Sequence, residues 1–149
     1  MNLKRYQWVG LLAGFLLFSG SWLTAYYNNS FWAILTILLV GFALWSAMKV
    51  ERRVDTRQHL IYGLTAGLLA GVVARILGMM FTSWAFDKWG GVKPVSSYAE
   101  LSDVFRSVLN GGVGATLTLL VLSTAFGGFL ALLEPDQKSA KVTIKKGKK

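Results

Sequence analysis

The chain has 149 residues, no cysteine and a formal net charge of +9, and 54% of its residues are hydrophobic. The length favours one domain, and the lack of cysteine excludes disulfides, thiol catalysis and cysteine-held metals. A positive mean hydropathy argues against a water-soluble domain of this size. The apolar residues gather in blocks about 20 residues long, roughly what a helix needs to cross ~30 Å of hydrocarbon at ~1.5 Å per residue. A soluble core helix would show polar residues at every turn, and these blocks do not. The sequence therefore predicts an all-α, polytopic membrane protein: a four-transmembrane-helix bundle with one amphipathic helix at its outer face.

The first span is expected from Trp8 to Tyr27, after a leader holding Lys4 and Arg5. The apolar run continues through "SWLTAYY" to full spanning length without a small-x-small cleavage site, so it reads as a span and not as a signal peptide. Only Asn28, Asn29 and Ser30 precede the second span, Phe31 to Val50, which forces an antiparallel hairpin. Asn28-Asn29-Ser30 formally matches a glycosylation acceptor, but its position between two spans marks it as turn chemistry. The charged loop "KVERRVDTRQH" leads to the third span, Leu60 to Trp84, and the fourth runs from Gly111 to Leu133.

Between spans three and four, "KWGGVKP" is turn-rich. The stretch 97–109 then opens with Ser97 and Glu100 at capping-box spacing. Tyr98, Leu101, Val104, Phe105 and Val108 recur at helical intervals, with Ser102, Asp103, Arg106 and Ser107 on the other side. That pattern predicts an amphipathic helix on the outer membrane surface, capping the bundle or serving as a lid or docking surface. Residues 1–134 form the membrane domain, and 135–149 are expected to be a disordered basic tail.

Twelve basic residues fall on one side: Lys4, Arg5, Lys49, Arg52, Arg53, Arg57 and Lys138, Lys141, Lys145, Lys146, Lys148 and Lys149. Only Lys88, Lys93 and Arg106 fall on the other, and Arg75 lies within the third span. The bias predicts cytoplasmic termini in a cell inner membrane. The tail lysines are expected to sit near anionic headgroups, each adding up to roughly 1 kcal/mol. With no aromatic residues interleaved to stack on bases, the tail gives no reason to expect nucleic acid as a partner.

Gly63, Gly67 and Gly71 fall four residues apart on one face of the third span, with Ala66, Ala70 and Ala74 in a row beside them. Lipid gives helices little hydrophobic reason to associate, so close approach across small residues supplies packing instead. The ladder predicts a helix contact, within the subunit or between subunits. Gly111, Gly112, Gly114 and Ala115, and again Gly127 and Gly128, suggest close packing at both ends of span four.

Arg75 is the next position in the ladder. It stands about three residues past the middle of its span, roughly 4–5 Å from the midplane. Insertion there costs ~2.5 kcal/mol or more, so something should compensate. No Asp or Glu lies in the central part of any span, which leaves no standard proton-relay or sodium site. Ser19, Ser21, Thr116 and Thr118 fall at similar depth and are candidate hydroxyl partners. Three readings stay open: bonding to carbonyls and water, a carboxylate on another membrane subunit, or an anion or lipid headgroup in a polar cavity.

The single histidine, His59, follows Asp55 by four residues, too few partners for a metal or catalytic base. No phosphate-binding loop or nucleophile elbow appears, and neither enzyme activity nor a cofactor is expected. The leading expectation is a non-catalytic accessory or assembly subunit. It would pack against a larger membrane protein, or a second copy, through Gly63, Gly67 and Gly71, with Arg75 paired to the partner's acid. The alternative is a small oligomeric channel or transporter for an anion or amphiphile, with Arg75 lining the pathway.

Overall fold

The computed structural model describes residues 4–50, 56–89, 100–110 and 112–133. These residues form five helices: α1 (Arg5–Tyr27), α2 (Ser30–Val50), α3 (Thr56–Trp89), α4 (Leu101–Asn110) and α5 (Val113–Leu132). All but α4 are long and apolar enough to cross a membrane, which makes the chain an all-helical, membrane-integral protein.

The burial pattern is inverted relative to a protein in water. The best-buried positions are small, such as Ala13, Ala66, Ala70 and Ala74, and Leu44 is the largest fully buried side chain. The large apolar residues point outward instead: Phe42 is 67% exposed and Val121 66%. A surface like this would drive aggregation in water, whereas in hydrocarbon it is the ordinary lipid-facing side of a bundle packed through small residues.

Local chemistry sets the helix ends. Asn28 takes up a left-handed conformation at φ 50°, which asparagine tolerates better than most residues, and ends α1. The Asn29 carboxamide then accepts a hydrogen bond from the Phe31 N–H at 2.9 Å, capping the first turn of α2. The asparagine pair is therefore occupied in making the turn. Hydroxyls inside the spans donate to their own helix: Thr24 to the Gly20 carbonyl and Thr36 to the Trp32 carbonyl, both at 2.7 Å.

α3 is longer than predicted. It starts at Thr56 and runs past Trp84 to Trp89, so Lys88 and Trp89 belong to a helix and not to a turn-rich loop. Nothing in "AFDKW" breaks a helix, and the first breaker is the glycine pair that follows. α4 begins at Leu101; the predicted cap residue Ser97 lies outside the described residues. The reciprocal cap falls one turn later, where the Glu100 N–H donates to Asp103 Oδ2 at 3.1 Å.

α3 is the centre of the bundle, in most extensive contact with α5 on one side and α1 on the other. α1 runs parallel to it. A Cβ on Gly10 would lie 2.8 Å from the Ala66 carbonyl oxygen, and one on Gly14 would lie 2.8 Å from that of Ala70. Tyr6 stacks on Tyr62 with ring centroids 4.4 Å apart. α5 runs antiparallel to α3, with Gly63 against Gly127, Gly67 against Ser123 and Gly71 against Ser123 and Leu120. The two rows of small residues on α3 thus serve two neighbours: alanines toward the α1 glycines, and glycines toward α5. α2 lies mainly on α1, where Gly20 makes room for Thr36.

α4 lies against the other helices. Phe105, Val108 and Leu109 are buried, the last two in a cluster with Phe18 and Ala74, and α4 packs chiefly on α1 and α3. Its amphipathic pattern is real, but protein covers the apolar side. Two of its hydroxyl residues are buried as well: Ser102 Oγ bonds Glu100 Oε2 at 3.1 Å, and Ser107 Oγ donates to the Val104 carbonyl at 2.6 Å. Arg106 stays near the surface, 3.5 Å from Asp103.

A candidate site at the break between α4 and α5

α4 ends at Asn110 and α5 starts at Val113, so two separate helices meet here. Extending the α1–α3 register puts Arg75 beside Ser19, so α1 continues about 12 Å further to Tyr27. On α5, Arg75 meets Thr116, and only three residues, about 4.5 Å, remain to its start. α5 thus begins well short of the α1–α2 turn. The carbonyls that end α4 have no partner within their own helix, so other groups must satisfy them.

Arg75 performs part of that task. It is 9% exposed. Its Nη1 donates to the Val108 carbonyl at 2.8 Å and, over a longer 3.4 Å, to the Leu109 carbonyl. Its Nε donates to Thr116 Oγ1 at 2.9 Å. Val108 and Leu109 stand in the last turn of α4, where carbonyls have no partner further along the helix. That end also carries the negative pole of the helix dipole, roughly half an elementary charge. The guanidinium therefore meets both acceptors and an opposing partial charge. Thr116 passes the connection on by donating to the Gly112 carbonyl at 3.1 Å, so one chain of bonds links α3 to the break itself.

Magnitudes decide whether this suffices. Placing an arginine near the membrane centre costs about 2.5–3.5 kcal/mol on insertion scales. Hydrogen bonds from a charged donor contribute about 1.5–3 kcal/mol each. The two short bonds alone are of the size of that cost.

The other expected partners are placed elsewhere. Ser19 donates to the Phe15 carbonyl at 2.9 Å, Ser21 to Leu17 at 2.7 Å, and Thr118 to Gly114 at 3.0 Å. The face expected to receive a partner, that of Gly63, Gly67 and Gly71, is covered by α5 of the same chain. Sequence reasoning missed Gly78, one turn beyond Arg75, where a Cβ would strike the Val108 carbonyl; only glycine lets the end of α4 approach so closely. A gap followed by a glycine in the ladder was the available signal.

At the opposite end of α3, His59 is buried at 8% exposure, and its Nε2 has no hydrogen-bond partner among the described residues. Asp55 and the tail residues Lys138, Lys141, Lys145, Lys146, Lys148 and Lys149 lie outside the described residues. Comparison with protein-family models, with curated proteins and with solved structures finds no match to this chain.

Proposed function

We propose that this is a small, non-catalytic protein of a bacterial-type inner membrane, with cytoplasmic termini, that binds and passes an anion or anionic amphiphile at the α4–α5 break. The observation carrying this reading is Arg75, a fixed positive charge bonded at once to the end of α4 and the first turn of α5. Helices interrupted within a membrane bundle place polar helix ends where a solute can meet them, as in many transporters. The tail lysines support the orientation by charge bias and would hold that side against anionic headgroups. The test is reconstitution of the purified protein alone into vesicles. Wild type should carry an anion or anionic amphiphile across, and Arg75→Gln should lower the flux at least tenfold. No flux from well-folded wild type against a panel of such solutes would sink the reading.

A second reading, the accessory subunit, is favoured by the stripe Phe31, Ile34, Leu38 and Phe42 on α2. All four are exposed and recur at helical spacing along one side. On this reading the partner docks on α2, because α5 fills the glycine face. Copurification from native membranes separates the two. A stoichiometric larger subunit, lost on replacing Leu38 and Phe42 with alanine, would favour the accessory role over transport.

A further inference from the structure

We propose that the start of α1 and the His59 turn of α3 form a binding site for the phosphodiester of an anionic lipid. The site lies at the other end of α3 from Arg75 and does not depend on the transport reading. Three observations carry it. First, His59 is a buried polar group with nothing to bind. It is 8% exposed, and its Nε2 is buried without a hydrogen-bond partner, a state that folded proteins rarely leave unfilled. Helical periodicity sets where it faces. His59 stands one turn before Gly63, which packs on Gly127 and Ala131 of α5, and two turns before Ala66, which packs on Gly10 of α1. The imidazole therefore faces the seam of α1 and α5, and it leans toward the N-terminal end of its helix. Tyr6 stacks on Tyr62 and Gly10 meets Ala66, so the same register puts His59 level with the residue before Lys4, where α1 begins.

Second, α1 offers donors there and no acid. Its first turn holds no acidic residue, and the positive pole of the helix favours an anion. The Gln7 and Trp8 amides both donate to the Lys4 carbonyl, which leaves the Arg5 and Tyr6 amides without an acceptor in their own helix. Third, the cations at this end are not neutralised. Neither Lys4 nor Arg5 has a carboxylate partner among the described residues, and Lys4 Nζ lies over the Tyr62 ring, 5.9 Å from its centroid. A phosphodiester supplies what all three lack. Its oxygens accept from the free amides of a helix start, carry the charge that Lys4 and Arg5 attract, and give Nε2–H an acceptor. Lys4, exposed and one turn from His59, turns off the Tyr62 ring to admit the headgroup. Position favours lipid as the source. The spanning segment starts at Arg5, and Trp8, 60% exposed, marks the interface one turn further in.

Fluorescent phosphatidylglycerol, titrated into the full-length protein in neutral-detergent micelles, reads the site, with phosphatidylcholine as the control lipid. Wild type should bind phosphatidylglycerol about tenfold more tightly than phosphatidylcholine. Lys4→Gln combined with Arg5→Gln should remove that preference. His59→Leu, which keeps bulk but no nitrogen, should weaken phosphatidylglycerol binding about fivefold. His59→Gln, which still offers a donor, should weaken it less. Attraction to scattered lysines alone would not register either change at His59. The His59→Leu loss should therefore persist when Lys145, Lys146, Lys148 and Lys149 are all glutamine. Unfolding midpoints without added lipid separate lost binding from lost folding. If His59→Leu does not fold, His59→Gln and the Lys4 and Arg5 pair still decide. Equal affinity of wild type for the two lipids would overturn the site, as would unchanged affinity in both His59 variants or in the Lys4 and Arg5 pair. Inorganic phosphate should not displace the bound lipid. Displacement by phosphate would overturn the lipid assignment and make the free anion the ligand.

Discussion

Arg75→Leu should destabilise the bundle by about 2–3 kcal/mol in a reversible detergent unfolding assay. The sign is not obvious, because leucine is far cheaper than arginine to hold in hydrocarbon. What decides it is what stays behind. The Val108 and Leu109 carbonyls belong to the main chain and remain after the substitution. A buried acceptor left unpaired costs roughly 1–3 kcal/mol. Removing one side of a buried polar contact is therefore costly, although replacing both sides can be neutral. Thr116 would keep its bond to Gly112, so the damage should concentrate where α4 meets α3. Arg75→Lys should recover part of the loss, since an ammonium retains charge and reach but lacks the fork that serves Thr116 and Val108 together. A change within ±0.5 kcal/mol for Arg75→Leu would mean that those carbonyls find other donors readily.

The second large effect is expected at Gly67. A Cβ there would run into the Ser123 carbonyl, and the next nearest atoms are also α5 backbone. A backbone obstacle cannot rotate away as a side chain does, so α5 itself must move. Gly67→Leu should cost about 3 kcal/mol, the upper end of the range for overpacking, and should separate α3 from α5. Gly67→Ala should cost less but remain destabilising, although alanine is the better helix former by ~1 kcal/mol. Gly114→Ala is the internal control. It makes the same chemical change in a helix, but nothing lies near that position. It should be neutral or stabilising by up to about 1 kcal/mol. Equal effects of the two alanine substitutions would show that helix propensity, and not the α3–α5 seam, governs both.

The four spanning helices were legible because length and hydropathy are properties of a segment by itself. The ends of α3 were less so: the turn-rich look of "KWGGVKP" hid the fact that its first two residues suit a helix. The rows of small residues announced close contacts but not their partners. That Gly63 meets Gly127 while Ala66 meets Gly10 depends on which helices are neighbours, and no single row encodes that. α4 shows a deeper limit. An amphipathic pattern says that one side wants to leave water, and is silent on whether lipid or protein receives it; here Phe105 and Val108 are received by protein.

Arg75 itself was plain in the sequence as a charge needing acceptors, and Thr116 stood among the candidate hydroxyls. Its other acceptors were illegible for a simple reason. Every residue carries a carbonyl, so a sequence search for acceptors scans side chains and overlooks the ends of helices. Only the fold reveals that Val108 and Leu109 end a helix within reach of the guanidinium.

Arg75 is held by its own chain at the α4–α5 break, through Thr116 and the Val108 carbonyl. A double-mutant cycle between Arg75→Leu and Thr116→Val, read by the same unfolding assay, tests it most directly. Bonded groups within membrane bundles couple by ~0.6 kcal/mol on average and up to ~1.7 kcal/mol. Coupling of about 1 kcal/mol is expected, because Thr116→Val should matter much less once the guanidinium is gone. Strict additivity of the two substitutions would contradict it, because the Thr116 contact would then contribute nothing to holding Arg75.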